Sequence, residues 1–159
     1  MPDEIQLTLE PIVKKNKYPR ICLTVNDKSD AMYLKETMVF NIILDRPRLN
    51  VVSLDFLNKV PEDTVVKDGG IVEDLAVMLK SVKYKTFDFH PYLPYVSEYT
   101  KDTGELVENT HGFMGFKGRL DLKLKTPLFI TARELAMMSN KDYKGVGIKI
   151  DDSYLQYAL

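Results

Sequence analysis

The chain has 159 residues, of which 45% are hydrophobic, and its 22 basic and 23 acidic side chains leave a formal charge of −1. This length and composition suit one folded domain with a hydrophobic core and exclude a disordered chain. Because nucleic-acid binding needs a net basic surface that displaces counterions from phosphates, the balanced charge argues against nucleic acid as a partner.

The cysteine content and the apolar runs limit where the protein works. The single cysteine, Cys22, excludes an internal disulfide. No apolar run approaches the roughly 20 residues needed to cross a bilayer, and residues 1–4 lack the pattern of a signal peptide. We therefore expect a protein that is made in a cytoplasm and has no membrane partner.

Alternating apolar and polar residues predict β-strands through the first half of the chain, because successive side chains of a strand point to opposite faces. The predicted strands cover 5–9, 21–25, 38–44, 52–56 and 75–84. Pro11 is expected to end the first strand, and residues 26–30 are expected to form a turn. Val39 and Ile43 make both faces of 38–44 apolar, so this strand is expected at the centre of its sheet.

The region from 58 to 84 is predicted to be a long connection followed by the longest strand. Residues 58–74 are mostly polar and contain Pro61, Gly69 and Gly70, a composition typical of a connection. In the strand that follows, alternation predicts that one set of side chains faces one way (Leu75, Val77, Leu79) and another set faces the other way (Ala76, Met78, Val82).

The second half of the chain is predicted to hold a hairpin, further strands and one helix. Residues 101–105 have the composition of a hairpin turn, and 113–116 and 120–124 return to strand-like alternation. Thr131 is the expected N-cap of a helix, with Glu134 completing a capping box.

Short strands at regular spacing, joined by turn residues, predict an all-β fold. We expect an antiparallel, two-sheet, jelly-roll-like β-sandwich with a short C-terminal helix. A single domain would span 1–159, with core sandwich strands in 1–86 and an aromatic loop, hairpin strands and the helix of 87–159 packed on them. The strands at 5–9 and 120–124 are the expected edges, where copies of the chain could pair into a homo-oligomer.

Two stretches of the sequence carry a family resemblance. In the first, an apolar strand ends in Asn58-Lys59, and a polar loop with Asp63-Thr64-Val65-Val66 leads to Asp74 and a long apolar strand. In the second, a glycine turn at 115–118 precedes a strand, Thr126-Pro127 and the predicted helix. Together they resemble a family of small, mostly uncharacterised proteins of tailed bacteriophages, notably those of marine cyanobacteria.

The first stretch is also similar, more distantly, to calcium-dependent xylan-binding carbohydrate modules, which are β-jelly-rolls. This similarity implies that Asn58 and Asp74 match an asparagine and an aspartate of those modules. Lys59 stands where the modules have a second metal-binding acid, and its ammonium group would repel a divalent cation. The resemblance therefore implies a jelly-roll fold more strongly than it implies calcium binding.

The acidic residues of 58–74 are the best candidates for a metal site. Calcium is bound by six to eight oxygen atoms, which makes Asn58, Asp63 and Asp74 candidate ligands. However, the regular spacing of a calcium loop is missing, and Lys59 and Lys67 lie among the acids. We favour a solvated loop in which the aspartates bond to backbone amides, and expect no cofactor, with calcium as the alternative.

Aromatic residues between 87 and 99 form the candidate contact site. The candidates are Phe89, His90, Tyr92, Tyr95 and Tyr99. Such side chains suit protein interfaces, where tyrosine is enriched, and sugars also stack on aromatic rings. Alternatively, Pro91 and Pro94 stiffen a loop whose aromatic side chains cover the edge of the sandwich. Because the chain has no tryptophan, we favour packing and a protein interface over a glycan.

No catalytic arrangement is evident in the sequence. His90 and His111 are the only histidines, and neither lies in a recognised catalytic motif. Gly112, Gly115 and Gly118 do not form a phosphate-binding loop. We therefore predict that the protein is not an enzyme.

The function expected from these features is that of a non-catalytic phage virion accessory protein. Such a protein would be a capsid decoration or tail component, assembled in the host cytoplasm, that contacts other virion proteins or a surface glycan. Two alternatives stay open: a carbohydrate-binding module that recognises a surface glycan, and an intracellular phage protein that binds a host protein.

Overall fold

The computed structural model describes residues 2–108 and 111–140, most of which lie in antiparallel strands. The strands are β1 (Asp3–Ile12), β2 (Arg20–Val25), β3 (Lys28–Tyr33), β4 (Met38–Leu44), β5 (Leu49–Phe56), β6 (Val65–Lys67), β7 (Gly70–Glu73), β8 (Ala76–Tyr84), β9 (Phe87–Asp88), β10 (Ser97–Lys101), β11 (Leu106–Val107), β12 (Phe113–Met114) and β13 (Gly118–Lys125). The helices are α1 (Leu93–Val96) and α2 (Leu128–Asn140), with 3₁₀ turns at Pro61–Asp63 and His90–Tyr92.

Two main sheets pack face to face. The five-stranded sheet has the order β12-β8-β1-β4, with β9 also paired to β8, and the six-stranded sheet has the order β11-β10-β13-β5-β2-β3. The chain crosses between the sheets repeatedly, since β1, β4 and β8 lie in one and β2, β5 and β13 in the other. The predicted jelly-roll-like β-sandwich is confirmed. Neither helix of the described ranges is long and apolar enough to cross a membrane.

Apolar side chains from the inner faces of both sheets form one core. Leu7 and Leu9 of β1 are buried against Leu54 of β5 and Leu122 of β13 in a single cluster. Leu135 of α2 belongs to the same cluster. Because β13 lies between β10 and β5, the second half of the chain supplies a central strand of the six-stranded sheet.

The prediction that 38–44 is a central strand is wrong. Within the described residues β4 pairs only with β1, so it is an edge strand. Val39 and Ile43 are 55% and 53% exposed on its outer face. The apolar pattern on both faces was correct, but the pattern alone does not show whether another layer covers the outer face.

The predicted edge strands are also wrong. The segment 5–9 lies within β1, which is paired on both sides by β8 and β4, and 120–124 lies within β13, which is paired by β10 and β5. Strand order depends on contacts between distant parts of the chain, which alternation within one segment does not report.

Two strands differ from their predicted course. β1 continues through Pro11, which pairs with Val77, and ends at Ile12. In β8 a register shift turns Val82 inward, because Leu7 opposes Val82 while Leu9 opposes Leu79. From Leu7 to Leu9 the chain advances two residues along β1, whereas from Val82 to Leu79 it covers three residues of β8, as in a β-bulge.

Other predicted boundaries shift as well. Residues 28–30, expected in a turn, belong to β3. Ala76, expected on the face opposite Leu75 and Val77, is fully buried like both of them. Alternation assigns a side chain to a face of the strand, but it does not show which of the two faces neighbouring elements cover.

The C-terminal helix begins three residues before the predicted N-cap. The Thr131 hydroxyl donates to the Lys125 carbonyl at 2.8 Å from within the helix. The Leu128 N–H at the helix start donates to Asp3 Oδ2 at 2.8 Å. A carboxylate from β1 therefore satisfies a free amide of the first helical turn. Because Asp3 lies far from the helix along the chain, the sequence near the helix does not predict this cap.

Candidate functional site

The predicted long connection folds into a β-hairpin that stands apart from both main sheets. Strands β6 and β7 pair only with each other among the described strands, with Val66 opposite Ile71 and Lys67 opposite Gly70. Between them Asp68 and Gly69 have φ values of 54° and 79°, as a two-residue hairpin turn requires. We call residues 65–73 the arm. The Asp-Gly pair between two apolar pairs was the sequence signal for it.

The arm presents apolar side chains to solvent. Val66 and Ile71 are 60% and 63% exposed, the highest values among the large apolar side chains of the described residues, and Val72 is 55% exposed. Val66 and Ile71 lie directly opposite each other on the two strands. Contiguous exposed apolar groups of this kind mark contact sites for other molecules.

An ion pair between Lys17, whose side chain is 37% exposed, and the buried carboxylate of Asp63 holds the chain that enters the arm. The carboxylate of Asp63 accepts hydrogen bonds from Lys17 Nζ at 2.8 and 3.0 Å and from the Val60 N–H at 2.9 Å. Burial by itself would raise the pKa of Asp63, but these bonds and the charges of Lys17 and Lys14 together lower it below its usual value.

A second ion pair, in which both side chains are largely buried, holds the chain that leaves the arm. Lys59 Nζ donates to Asp74 Oδ1 and, at 2.6 Å, to the Leu75 carbonyl. The side chains of Lys59 and Asp74 are only 7% and 14% exposed. Burial opposes ionisation, yet hydrogen bonds from Lys59 and Thr64, the Lys59 charge and the Leu75 N–H lower the pKa of Asp74.

One hydrogen bond joins the two ends of the arm. The Thr64 hydroxyl, just before β6, donates to Asp74 Oδ1, just after β7, at 2.7 Å. Isolated two-stranded hairpins are marginally stable in water. The arm therefore depends on these contacts at its base for a defined position.

The three candidate metal ligands each bond to groups of the protein. Asn58 accepts from the Arg20 N–H at 2.7 Å and donates to the Tyr18 carbonyl at 2.9 Å. Asp63 and Asp74 each face a lysine ammonium, as described above. The described part of the chain holds no group of three or more His, Cys, Asp or Glu side chains placed to share a metal ion. The absence of a cofactor stays a prediction.

Two of the five candidate contact residues belong to the core. Phe89 and Tyr99 are almost fully buried. The Tyr99 hydroxyl accepts from the Phe116 N–H at 2.9 Å and donates to the Phe116 carbonyl. Burial raises the pKa of Tyr99 to about 12. Neither side chain is available to a partner, so packing accounts for both.

The other three candidates lie nearer the surface. Tyr92 stacks on Phe87 with ring centroids 5.5 Å apart, and its hydroxyl lies 2.8 Å from Ser139 Oγ. His90 is half-buried, and its backbone N–H donates to Asp88 Oδ1 at 2.9 Å. Tyr95 is 51% exposed. The structure thus leaves Tyr95 as the most accessible ring of the predicted site.

A groove of about 480 Å³ lies beside Tyr95. Its wall includes Pro94, Leu106, Glu98 and Lys123. Glu98 and Lys123 form an exposed ion pair on neighbouring strands of this wall, with 3.6 Å between Oε2 and Nζ. Glu108 and His111 also line the groove, so it combines one accessible aromatic ring with two acidic and two basic side chains.

The described residues contain no assembled catalytic pair. Within these residues, no hydrogen bond or ion pair joins a histidine side chain to an acid or to a nucleophile. Cys22 has Thr24 Oγ1 as its polar neighbour, at 3.9 Å. That the protein is not an enzyme stays a prediction.

Comparison of the chain with protein-family models, with curated proteins and with solved structures finds no match. The fold and the geometry of the arm and of the groove are therefore the structural observations on which a functional proposal rests.

Proposed function

We propose that the protein is a non-catalytic structural module of a phage particle, a capsid decoration or tail component, and that its arm binds a neighbouring virion protein. The observation that carries this proposal is the exposure of Val66, Ile71 and Val72 on a hairpin whose base is held by two lysine–aspartate ion pairs.

The fixed base suits the arm to binding. A flexible loop loses conformational entropy when a partner orders it, whereas a segment already held in place loses less. Removing exposed apolar surface from water then supplies the main favourable free energy of association. The opposite charges of Lys67 and Asp68 at the tip would add orientation more than affinity.

The resemblance to proteins of tailed phages supports a place in the virion. Assembly would take place in the host cytoplasm. The proposed partner is therefore another protein of the same particle, bound through surface complementarity and without a chemical step.

Quantitative mass spectrometry of purified particles tests this proposal. We expect the protein in a fixed ratio to a capsid or tail protein after particles are purified from infected cells. A protein abundant in the infected-cell lysate but absent from the particles would contradict the proposal. That result would favour the alternative of an intracellular protein that binds a host protein.

The groove beside Tyr95 supports a second candidate function, binding of a surface glycan. An accessible tyrosine ring next to an acid and a base could stack on a sugar and bond to its hydroxyls. Affinity electrophoresis should then show retardation by a polysaccharide that Tyr95→Ala abolishes. Tyr33→Ala is the matched control, because Tyr33 is also 51% exposed but lies on β3. Retardation by no polysaccharide would reject this candidate.

A further inference from the structure

The outer edge of β4 lacks the features that protect strand edges in other proteins. Natural sheets protect their edges with short strands, charged residues or proline. The other edges of the main sheets fit this rule: β3 carries Lys28 and Asp30, and β9, β11 and β12 have two residues each. β4 has seven residues, none of them charged or proline.

We propose that β4 pairs with β4 of a second copy of this chain. The two strands would run antiparallel about a two-fold axis and join the two five-stranded sheets into one continuous sheet. The N–H and C=O groups along this edge, which pair with no other described strand, would then bond between the copies. An interface of this type is isologous, so the same residues must complement themselves.

The sequence of β4 is self-complementary about Asn41. With Asn41 opposite its own counterpart, Val39 of each copy opposes Ile43 of the other, and the two asparagine side chains face each other. Val39, Asn41 and Ile43 are all exposed on the outer face of β4. Cross-strand pairs of β-branched residues stabilise sheets. Pairing would therefore bring the four most exposed apolar side chains of the joined edge into contact and cover part of their surface.

Charges beyond the ends of β4 match in the same register. Glu36 and Arg46 are exposed in the bends that flank β4, so an antiparallel partner brings Glu36 of each copy to the end of the interface where Arg46 of the other copy lies. In the two nearest registers that keep the same faces together, Val39 would instead lie opposite Asn41 or opposite Asp45 of the other copy. The register centred on Asn41 is therefore the one that pairs apolar side chains with each other.

Analytical ultracentrifugation tests the proposal with three forms of the full chain. The wild type should sediment as a concentration-dependent dimer of twice 18.3 kDa. V39K/I43K places like charges opposite each other at two positions and should give a monomer. V39K/I43E places opposite charges there and should restore the dimer, because in this register position 39 of each copy meets position 43 of the other.

The control is V66K/I71K, which changes equally exposed residues on the arm and should leave the dimer intact. Circular dichroism melting identifies any variant that fails to fold. A wild type that stays monomeric at tens of micromolar concentration, or a folded V39K/I43E that stays monomeric while the wild type dimerises, would overturn the proposal. These outcomes do not depend on whether the arm binds a virion protein.

Discussion

At the scale of single residues, the two lysine–aspartate pairs at the base of the arm are the most informative contacts. Asp63 and Asp74 were candidates for calcium ligands, and the structure places Lys17 and Lys59 directly on their carboxylates. A lysine ammonium thus neutralises each acid without an added ion. The pairs also explain how a hairpin outside both main sheets keeps a defined position.

Breaking the Lys59–Asp74 pair should destabilise the protein more than breaking an exposed pair. Lys59→Met leaves a buried carboxylate without its cation, which costs about 3 kcal/mol of unfolding free energy. Lys80→Met is the matched control, because the Lys80–Glu10 pair is about half exposed on both sides and should cost less than about 1 kcal/mol. Urea unfolding measures both, and equal losses would contradict the proposed role of the buried pair.

Acid should destabilise the protein through the same two aspartates. Their pKa values in the folded state are lowered from the ordinary 3.8, so the unfolded chain takes up protons first as the pH falls. Their contribution to stability is fully present above the unfolded pKa and is lost as the pH falls through the lower folded value. Urea midpoints measured from pH 7 down to about pH 3 should fall less steeply in D63N/D74N than in the wild type. Parallel curves would exclude this contribution.

The predicted contact residues show that residue type alone does not determine whether a side chain is exposed. Tyr95 and Tyr99 have the same side chain four positions apart, yet Tyr95 is exposed and Tyr99 is buried. Tyr99 lies opposite Leu120 on the inner face of β10, and the backbone of Phe116 bonds its hydroxyl. Both partners are about twenty residues away in sequence, so no local pattern predicts the difference.

At the scale of strands and helices, local sequence patterns predicted which segments are strands, but they did not predict which strands lie next to each other. Alternation located β1, β2, β4, β5 and β8 because half-buried strands need one apolar face. It failed for the position of β4 in its sheet, since coverage of the outer face depends on elements elsewhere in the chain. The arm could have been predicted from the sequence, because Asp68-Gly69 between Val65-Val66 and Ile71-Val72 is a strong hairpin signal. The polar residues around it instead suggested a connection without strands.

At the scale of the whole molecule, the arm and the edge of β4 differ from the outer face of the six-stranded sheet. The outer face of the six-stranded sheet is mostly polar, with a row of aligned residues across five strands: Glu98, Asp121, Ser53, Thr24 and Ser29. Ser53 donates to Asp121, and Thr24 bonds Ser29. The edge of β4 and the arm, by contrast, each expose large apolar side chains, which is why we assign contacts with other molecules to them.

The copy number of an arm variant in purified particles tests the central claim most directly. V66S/I71S/V72S removes the apolar groups that the partner would cover, and each buried group of this size contributes about 1.5 kcal/mol or more. We expect at least about a tenfold loss of the variant from particles. Phe129→Ser, on a 57% exposed side chain of α2, should be incorporated like the wild type. Incorporation of the folded triple variant at the wild-type copy number would contradict the account.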